Sequence, residues 1–136
     1  MIKVLKGYVS SRHIAGQLIP QSIQNSLIRN YCNENNMTFA LSSTEYSSDN
    51  SFLMLEKTVN EIKLYDGIIS YSIFQLPKSI EYRNFLLNKM LNKKKIYCSV
   101  LEKITISNKK DLNYLNQILN INNLLPHCLT EINYGN

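Results

Sequence analysis

Residues 66–101 read DGIISYSIFQLPKSIEYRNFLLNKMLNKKKIYCSVL, and this segment gives the clearest indication of the fold class. The run IISY, directly after the turn dipeptide Asp66-Gly67, is apolar, partly β-branched and typical of a buried strand. Pro77 suits the first turn of a helix, and apolar side chains recur at helical spacing behind it. A second strand-like run, residues 96–101, comes next. A strand, a helix and another strand in this order predict a βαβ unit with parallel strands.

The same alternation extends over the whole chain. Strands are predicted at residues 2–9, 37–41, 68–71 and 96–101, and helices from Pro20, from Asp49 or Ser51, from Pro77 and from Ser107 or Asn108. Strands that alternate with helices indicate a parallel sheet covered on both faces, with right-handed crossovers. We expect one α/β domain over residues 1–136, a three-layer sandwich with four or five strands in a flavodoxin-like order. An irregular tail is expected from about residue 122.

Charge and composition set limits on the partners. The 136 residues carry a net charge of +5, but the basic residues are scattered apart from the run Lys93-Lys94-Lys95. At the end of a predicted helix, this run is typical of a solvated cap that complements the helix dipole. Nucleic acid is therefore not an expected partner. The N-terminal residues do not resemble a signal peptide, since lysines interrupt the apolar run, and no stretch has the length of a membrane span.

The sequence contains no pattern of a familiar cofactor or metal site. Its three cysteines, Cys32, Cys98 and Cys128, are far apart and form no CxxC pair, so neither zinc nor a disulfide framework is indicated. The four glycines form neither a GxGxxG motif nor a P-loop. We expect a reduced, cytoplasmic protein without a metal or cofactor.

Polar side chains follow each of the four predicted strands at its carboxyl end. They are Ser10-Ser11-Arg12-His13 after the first strand, Ser42-Ser43-Thr44-Glu45-Tyr46 after the second, Ser72 and Gln75 after the third, and Glu102 after the fourth. In open parallel sheets, ligands bind outside these ends, near the point where the strand order reverses. We therefore predict a ligand pocket at this edge, although solvated βα loops are commonly polar without one.

Four of these residues are candidate catalytic groups, namely Glu45, Arg12, Ser10 and Tyr46. Glu45 or Glu102 would act as a general acid or base if burial raised its pKa. Arg12 would clamp a carboxylate or phosphate, unless it pairs structurally with Glu45 or Glu102. The candidate substrate-binding residues at the same edge are Ser11, Ser42, Ser72, Gln75 and Glu102.

Three stretches, GYVSSRHIAGQLIPQSIQNSLIRNYC, LSSTEYSS with LMLEK behind it, and DGIISYSIFQLPKS, resemble the sporadic carbohydrate cluster protein family of bacterial surface-polysaccharide gene clusters. The resemblance covers roughly residues 6–102 and implies a pathway rather than a reaction. It adds Gln24, Arg29 and Arg83 to the candidate substrate-binding residues. Without this resemblance, Gln24 and Arg29 are typical of the polar face of a surface helix, and Arg83 of a surface cation.

A fainter similarity, at the level of the fold, is to the catalytic domain of serine recombinases. That family begins with a strand reading Tyr-x-Arg-x-Ser, whereas here Tyr8 matches, Ser10 stands in the arginine slot and Arg12 in the slot of the nucleophilic serine. The similarity therefore implies a shared architecture with the active residues replaced, and fold alone does not define function.

The leading hypothesis is a small cytoplasmic protein of bacterial surface-carbohydrate biosynthesis, lipopolysaccharide or capsule. It would bind or transform a sugar or nucleotide sugar at the carboxyl ends of its strands. The alternatives are a non-catalytic interaction module, which could form a homo-oligomer, and a nucleic-acid-binding protein with a degenerate recombinase-like fold. Whether the chain is an enzyme stays open at this point.

Overall fold

The computed structural model describes residues 2–46 and 51–134, with side chains as far as Ile121. The strands are β1 (Val4–Ser10), β2 (Thr38–Glu45), β3 (Gly67–Ser70), β4 (Ile96–Ser99) and β5 (Ile104–Ile106). The α-helices are α1 (Gln21–Glu34), α2 (Leu53–Asn60), α3 (Ile80–Asn92) and α4 (Lys109–Tyr134), and two short 3₁₀ turns lie at Ile62–Leu64 and Ile73–Gln75.

The five strands form one sheet in the order β2-β1-β3-β4-β5. The first four are parallel, and β5 pairs with β4 in the antiparallel direction. This confirms the α/β class and the flavodoxin-like order, in which the strand order reverses between β1 and β3. The segment that forms β5 is only three residues long, so its periodicity is too short to identify as a strand in the sequence.

The helices cover the two faces of the sheet unequally. One face packs against α1, in an apolar cluster formed by Leu5, Val9, Ile28, Cys32, Ile69 and Cys98. The other face packs against α2, α3 and α4 through a larger cluster that includes Tyr8, Leu55, Ile68, Leu86, Tyr97 and Leu115. The result is the three-layer sandwich expected from the alternation of strands and helices.

Strand β2 is longer than the sequence predicted. It runs to Glu45, so Ser42–Glu45 lie within the strand and not in the loop after it. The register with β1 shifts between Lys6 and Tyr8, because β2 has one extra residue there. Gly7 makes the shift possible, since a Cβ at this position would come within 2.2 Å of the Ser42 Oγ. Polarity alone suggested a loop because the strand is half-exposed at the edge of the sheet.

Three further expectations about helix ends need correction. Helix α3 begins at Ile80, with Ser79 and not Pro77 at its N-terminal boundary, because the Ser79 side chain accepts from the Tyr82 N–H. Phe52, and not Ser51, is the residue at the N-cap of α2, and no side chain at that position caps the helix. The other candidate cap, Asp49, lies outside the described residues. The expected irregular tail from about residue 122 is wrong for the backbone, because α4 is helical to Tyr134. The internal proline therefore does not end this helix.

No helix within residues 2–46 and 51–134 is long and apolar enough to cross a lipid bilayer.

Candidate functional site

Arg12 lies at the centre of the carboxyl edge of the sheet, where its guanidinium is almost fully buried. Its Nη2 donates to the Tyr8 hydroxyl at 2.8 Å and to the Gln75 carbonyl at 2.9 Å. Its Nη1 donates to the Ser51 carbonyl at 2.9 Å. The guanidinium also lies 4.3 Å from the ring centroid of Phe52, within cation–π range. The arginine thus ties the ends of β1 and β3 to the segment that begins α2.

Glu45 caps helix α2 from the neighbouring strand. The N–H of Met54 donates to both carboxylate oxygens at 3.1 Å, and the N–H of Leu55 donates to one of them at 3.4 Å. The Tyr8 hydroxyl donates to the same carboxylate at 3.0 Å. A carboxylate at a helix N-terminus satisfies free N–H groups and favours the helix dipole. Arg12, Tyr8 and Glu45 therefore form one chain of hydrogen bonds across the edge of the sheet.

Two glutamine side chains lie between the carboxyl ends of β1 and β3, where the strand order reverses. Gln24 donates to the Ser10 and Ile19 carbonyls and accepts from the Ser10 N–H. The Gln75 amide donates to the Ser10 hydroxyl at 3.0 Å and to Gln24 Oε1 at 2.9 Å. The Gln75 Oε1 accepts from the Ser72 N–H at 2.9 Å. The crevice where flavodoxin-like folds bind ligands is occupied here by the chain's own amides.

Glu102 closes the edge on the far side, between β3 and β4. Its carboxylate accepts from the Ser72 hydroxyl at 2.7 Å, from the Ile73 N–H at 3.0 Å, and from the Ser99 hydroxyl. Glu102 is half-buried, whereas Ser72 and Ser99 are fully buried. It caps the short turn after β3 in the way that Glu45 caps α2.

The structure brings seven of the predicted site residues into one bonded set, which we call the strand-end network. They are Ser10, Arg12, Gln24, Glu45, Ser72, Gln75 and Glu102, and Tyr8 is joined to them. Arg12 is 8% exposed and Glu45 is 2% exposed. Their polar groups are bonded to one another and to the backbone. A substrate could not reach them without breaking bonds that fix three strands and a helix.

The other predicted site residues lie apart from one another. The Ser11 hydroxyl donates to the Glu45 carbonyl at 3.2 Å, and the Ser42 hydroxyl donates to Asn25 on α1 at 2.6 Å. Arg29 lies exposed on α1, over the Phe39 ring. Arg83 is buried between α3 and α4, where it donates to Asn116 Oδ1 and the Pro77 carbonyl. Tyr46 is 76% exposed.

An open groove of about 700 Å³ lies between β2 and α2, beside the strand-end network. It is lined by Lys6, Ser42, Ser43, Thr44, Glu45, Tyr46, Leu53, Met54, Lys57, Thr58, Glu61 and Tyr65, and we call it the β2–α2 groove. Ser42, Glu45 and Tyr46 were predicted site residues. Sequence reasoning missed the contribution of α2, although Met54, Lys57, Thr58 and Glu61 recur at three- and four-residue spacing on one helix face.

Burial sets the protonation of several phenols and thiols. Desolvation raises the pKa of Tyr8 and of Tyr97 above the ordinary value for a phenol. Burial raises the pKa of the Cys32 thiol to about 11. It also raises the pKa of the Cys98 thiol. These groups are therefore neutral at physiological pH, and neither thiol has the low pKa of a reactive cysteine.

These shifts predict the direction of the pH dependence of stability. A group with a raised pKa in the folded state contributes its full stabilisation below its pKa in the unfolded chain, and loses it as the pH rises towards the folded value. Unfolded thiols and phenols ionise near pH 8.5 and pH 10. The free energy of unfolding, measured with urea, should therefore begin to fall above about pH 8, where unfolded thiols ionise, and should fall further above about pH 10, where unfolded phenols ionise. Tyr97→Phe should reduce the slope above about pH 10, and Tyr114→Phe, at an exposed tyrosine, should not. A flat or rising profile would contradict the assignment.

The chain resembles a solved structure described as the N-terminal catalytic domain of TP901-1 integrase. The two share 18% sequence identity with a TM-score of 0.64, over 91% of this chain and 98% of the integrase domain. This confirms the similarity to the serine recombinase catalytic domain at the level of the fold. No family model and no curated protein in the comparisons matches the sequence. The resemblance to the sporadic carbohydrate cluster family therefore stays a prediction.

Proposed function

We propose that this protein is a non-catalytic binding protein whose β2–α2 groove takes a sugar or an activated sugar. The observation that carries the proposal is the contrast between two neighbouring sets of polar residues. The strand-end network is buried and bonded to itself, whereas the groove beside it is open and lined by hydroxyl, aromatic and charged side chains. The surface-carbohydrate pathway and the cytoplasmic location remain predictions from the sequence.

The groove has the mixture of groups that a sugar ring requires. Tyr46 and Tyr65 offer aromatic surface for the apolar C–H face of a ring. Hydroxyls of β2 and the charged groups of Lys57 and Glu61 offer donors and acceptors for the ring hydroxyls. Lys6, whose Nζ lies 5.5 Å from the Tyr65 ring centroid, adds a positive charge for a phosphate or carboxylate on the ligand.

The strand-end network helps to hold the two walls of the β2–α2 groove together. Glu45 belongs to β2 and caps α2, so it joins the two walls of the groove directly. The Thr58 hydroxyl donates to the Ser43 Oγ at 2.8 Å, which adds a second bond between the same walls. Residues with the chemistry of a catalytic site thus hold a binding surface in place. A preorganised surface loses less entropy when a ligand binds.

Replacing the exposed aromatic at the mouth of the groove should weaken ligand binding. Tyr46→Ala should raise the dissociation constant about fivefold, since one aromatic contact contributes about 1 kcal/mol. Tyr114→Ala is the matched control, because Tyr114 is 58% exposed on α4 and outside the groove. A second pair consists of Lys57→Ala, at a residue that lines the groove, and its control Lys110→Ala, at a residue outside it. Isothermal titration calorimetry with UDP-N-acetylglucosamine and CMP-N-acetylneuraminic acid measures each constant.

Two results would overturn the proposal. One is the absence of binding for every member of a wider panel of nucleotide sugars and sugar phosphates. The other is binding that Tyr46→Ala and Tyr114→Ala weaken equally, since the ligand would then lie elsewhere. Turnover of any bound nucleotide sugar would contradict the non-catalytic part alone.

Nucleic-acid binding is a second candidate, favoured by the likeness to the integrase domain together with the net charge of +5. Its signature is a mobility shift of duplex DNA that weakens steeply with salt. No shift at low salt would end this candidate. Covalent recombinase chemistry is not proposed, because the position of the nucleophilic serine is held by Arg12, which is committed to Tyr8, Ser51 and Gln75.

A further inference from the structure

Seven of the 15 basic residues lie at the amino edge of the sheet, opposite the strand-end network. They are Lys3, Lys63, Lys93, Lys94, Lys95, Lys109 and Lys110, and we call them the lysine edge. Six are exposed and Lys95 is half-buried. In the sequence they occur as scattered residues and short runs. The fold makes one surface of them.

The topology explains why these lysines come together. Lys3 precedes β1, Lys63 lies just before β3, and Lys93–Lys95 lead from α3 into β4. Because β5 is antiparallel, with Ile106 opposite Tyr97, it ends where β4 begins, and α4 starts there with Lys109. Backbone hydrogen bonds from Asp66 to Val4 and from Ile96 to Asp66 hold the starts of β1, β3 and β4 side by side.

The acidic residues at this edge neutralise it only in part. They are Glu34, Glu61, Asp66 and Asp111. Two of these carboxylates already accept hydrogen bonds from the backbone: Asp66 from the Val4 N–H at 2.7 Å, and Asp111 from the Ser107 N–H at 3.0 Å. The edge therefore keeps a net positive charge of about three, counted as seven lysines against four carboxylates.

Two large apolar side chains are exposed within the lysine edge. Ile2 is 65% exposed beside Lys3, and Leu64 is 73% exposed beside Lys63. Each is two residues from the paired Val4 and Asp66, so the two apolar groups and their lysines share one region of the surface. Isolated exposed apolar residues are ordinary, but a pair surrounded by lysines is the arrangement of a surface that enters a membrane interface.

We propose that the lysine edge docks this protein on the surface of an anionic lipid bilayer. The lysines would lie against the headgroups, and Ile2 and Leu64 would enter the boundary between headgroups and acyl chains. A nucleic acid would also be attracted by the positive charge of the lysines. Unlike a bilayer, however, it has no apolar layer in which the two aliphatic side chains could be buried. This docking goes beyond the proposed sugar binding, since it uses the opposite edge of the sheet from Tyr46.

Vesicle co-sedimentation of the full chain tests the proposal, with phosphatidylglycerol in phosphatidylcholine compared with pure phosphatidylcholine. We expect binding to the anionic vesicles only, weakened by added salt. The double variant Lys93→Gln/Lys94→Gln should lose at least about tenfold in affinity, since each lysine near such a surface contributes roughly fivefold. The matched control Lys78→Gln/Lys103→Gln removes the same charge from exposed positions away from the edge and should bind nearly as the wild type does.

The apolar pair is tested separately with Ile2→Ser/Leu64→Ser, which keeps the net charge and should weaken vesicle binding several-fold. Unchanged affinity in this variant would overturn the assignment to lipid. Equal loss in both lysine double variants would overturn the assignment to this edge. The surface would be assigned to nucleic acid instead if the wild type bound an oligonucleotide but not anionic vesicles, and the Lys93→Gln/Lys94→Gln variant no longer bound that oligonucleotide. Circular dichroism confirms that each variant is folded.

Discussion

Glu45→Ala should lower the free energy of unfolding by about 3 kcal/mol. The substitution removes the acceptor for the N–H groups of Met54 and Leu55 and for the Tyr8 hydroxyl. Loss of a helix cap alone costs about 1 kcal/mol. The remainder arises because the buried Tyr8 hydroxyl, which accepts from Arg12, loses the acceptor for its own proton. The effect is large because Glu45 joins three separate segments of the chain.

Urea denaturation followed by far-ultraviolet circular dichroism measures this loss. Glu45→Gln keeps an acceptor oxygen at the helix N-terminus and should cost about 1 kcal/mol. Glu34→Ala, at an exposed glutamate, should change stability by less than about 0.5 kcal/mol. If Glu45→Ala were as stable as Glu34→Ala, Glu45 would not be a structural cap, and a role in binding or catalysis would have to be reconsidered.

Arg12→Ala should cost a similar amount, about 3 kcal/mol. It leaves the carbonyls of Ser51 and Gln75 without their donor, and it removes the cation over the Phe52 ring. Arg12→Lys should recover less than half of the loss, because a single ammonium cannot reach contacts made by two separate guanidinium nitrogens. The exposed Arg29 supplies the control variant Arg29→Ala in the same urea measurement.

A double-mutant cycle connects the two predictions. Arg12 and Glu45 both bond to the Tyr8 hydroxyl, so the costs of removing them should be non-additive by about 1 kcal/mol. Strict additivity would mean that the two residues act independently and that the hydrogen-bond chain through Tyr8 carries little energy. Both single variants should still bind the anionic vesicles, because the lysine edge lies at the other end of the strands.

The fold was predictable because each long element has a strong local pattern. The run at residues 68–71 and the apolar stripe of α3 are readable without tertiary information. The short strand β5 and the polar second half of β2 were not, because both depend on a neighbouring strand for their conformation. The end of α4 at Tyr134 was not predicted, since the expected helix stopped at about residue 122.

The position of the candidate site could be predicted from the sequence, but whether its side chains face a ligand or bond to one another could not. The rule that strand ends converge brought Arg12, Glu45, Ser72 and Gln75 to one edge of the sheet. It does not indicate whether such groups face a ligand or one another, because that depends on side-chain geometry at the level of single hydrogen bonds. The β2–α2 groove was missed because it depends on how α2 lies across β2. The lysine edge depends on the direction of β5.

Chemical-shift mapping by nuclear magnetic resonance distinguishes a ligand bound in the β2–α2 groove from a ligand bound at the strand-end network. In a titration of the ¹⁵N-labelled protein with the tightest ligand from the nucleotide-sugar panel, the backbone amides that move should belong to groove residues such as Ser43, Thr58 and Tyr65. Those of Ser10, Gln24 and Gln75 should stay in place, since the strand-end network remains intact. The opposite result, with the network amides moving and the groove amides unchanged, would contradict the account and return the site to the ends of the strands.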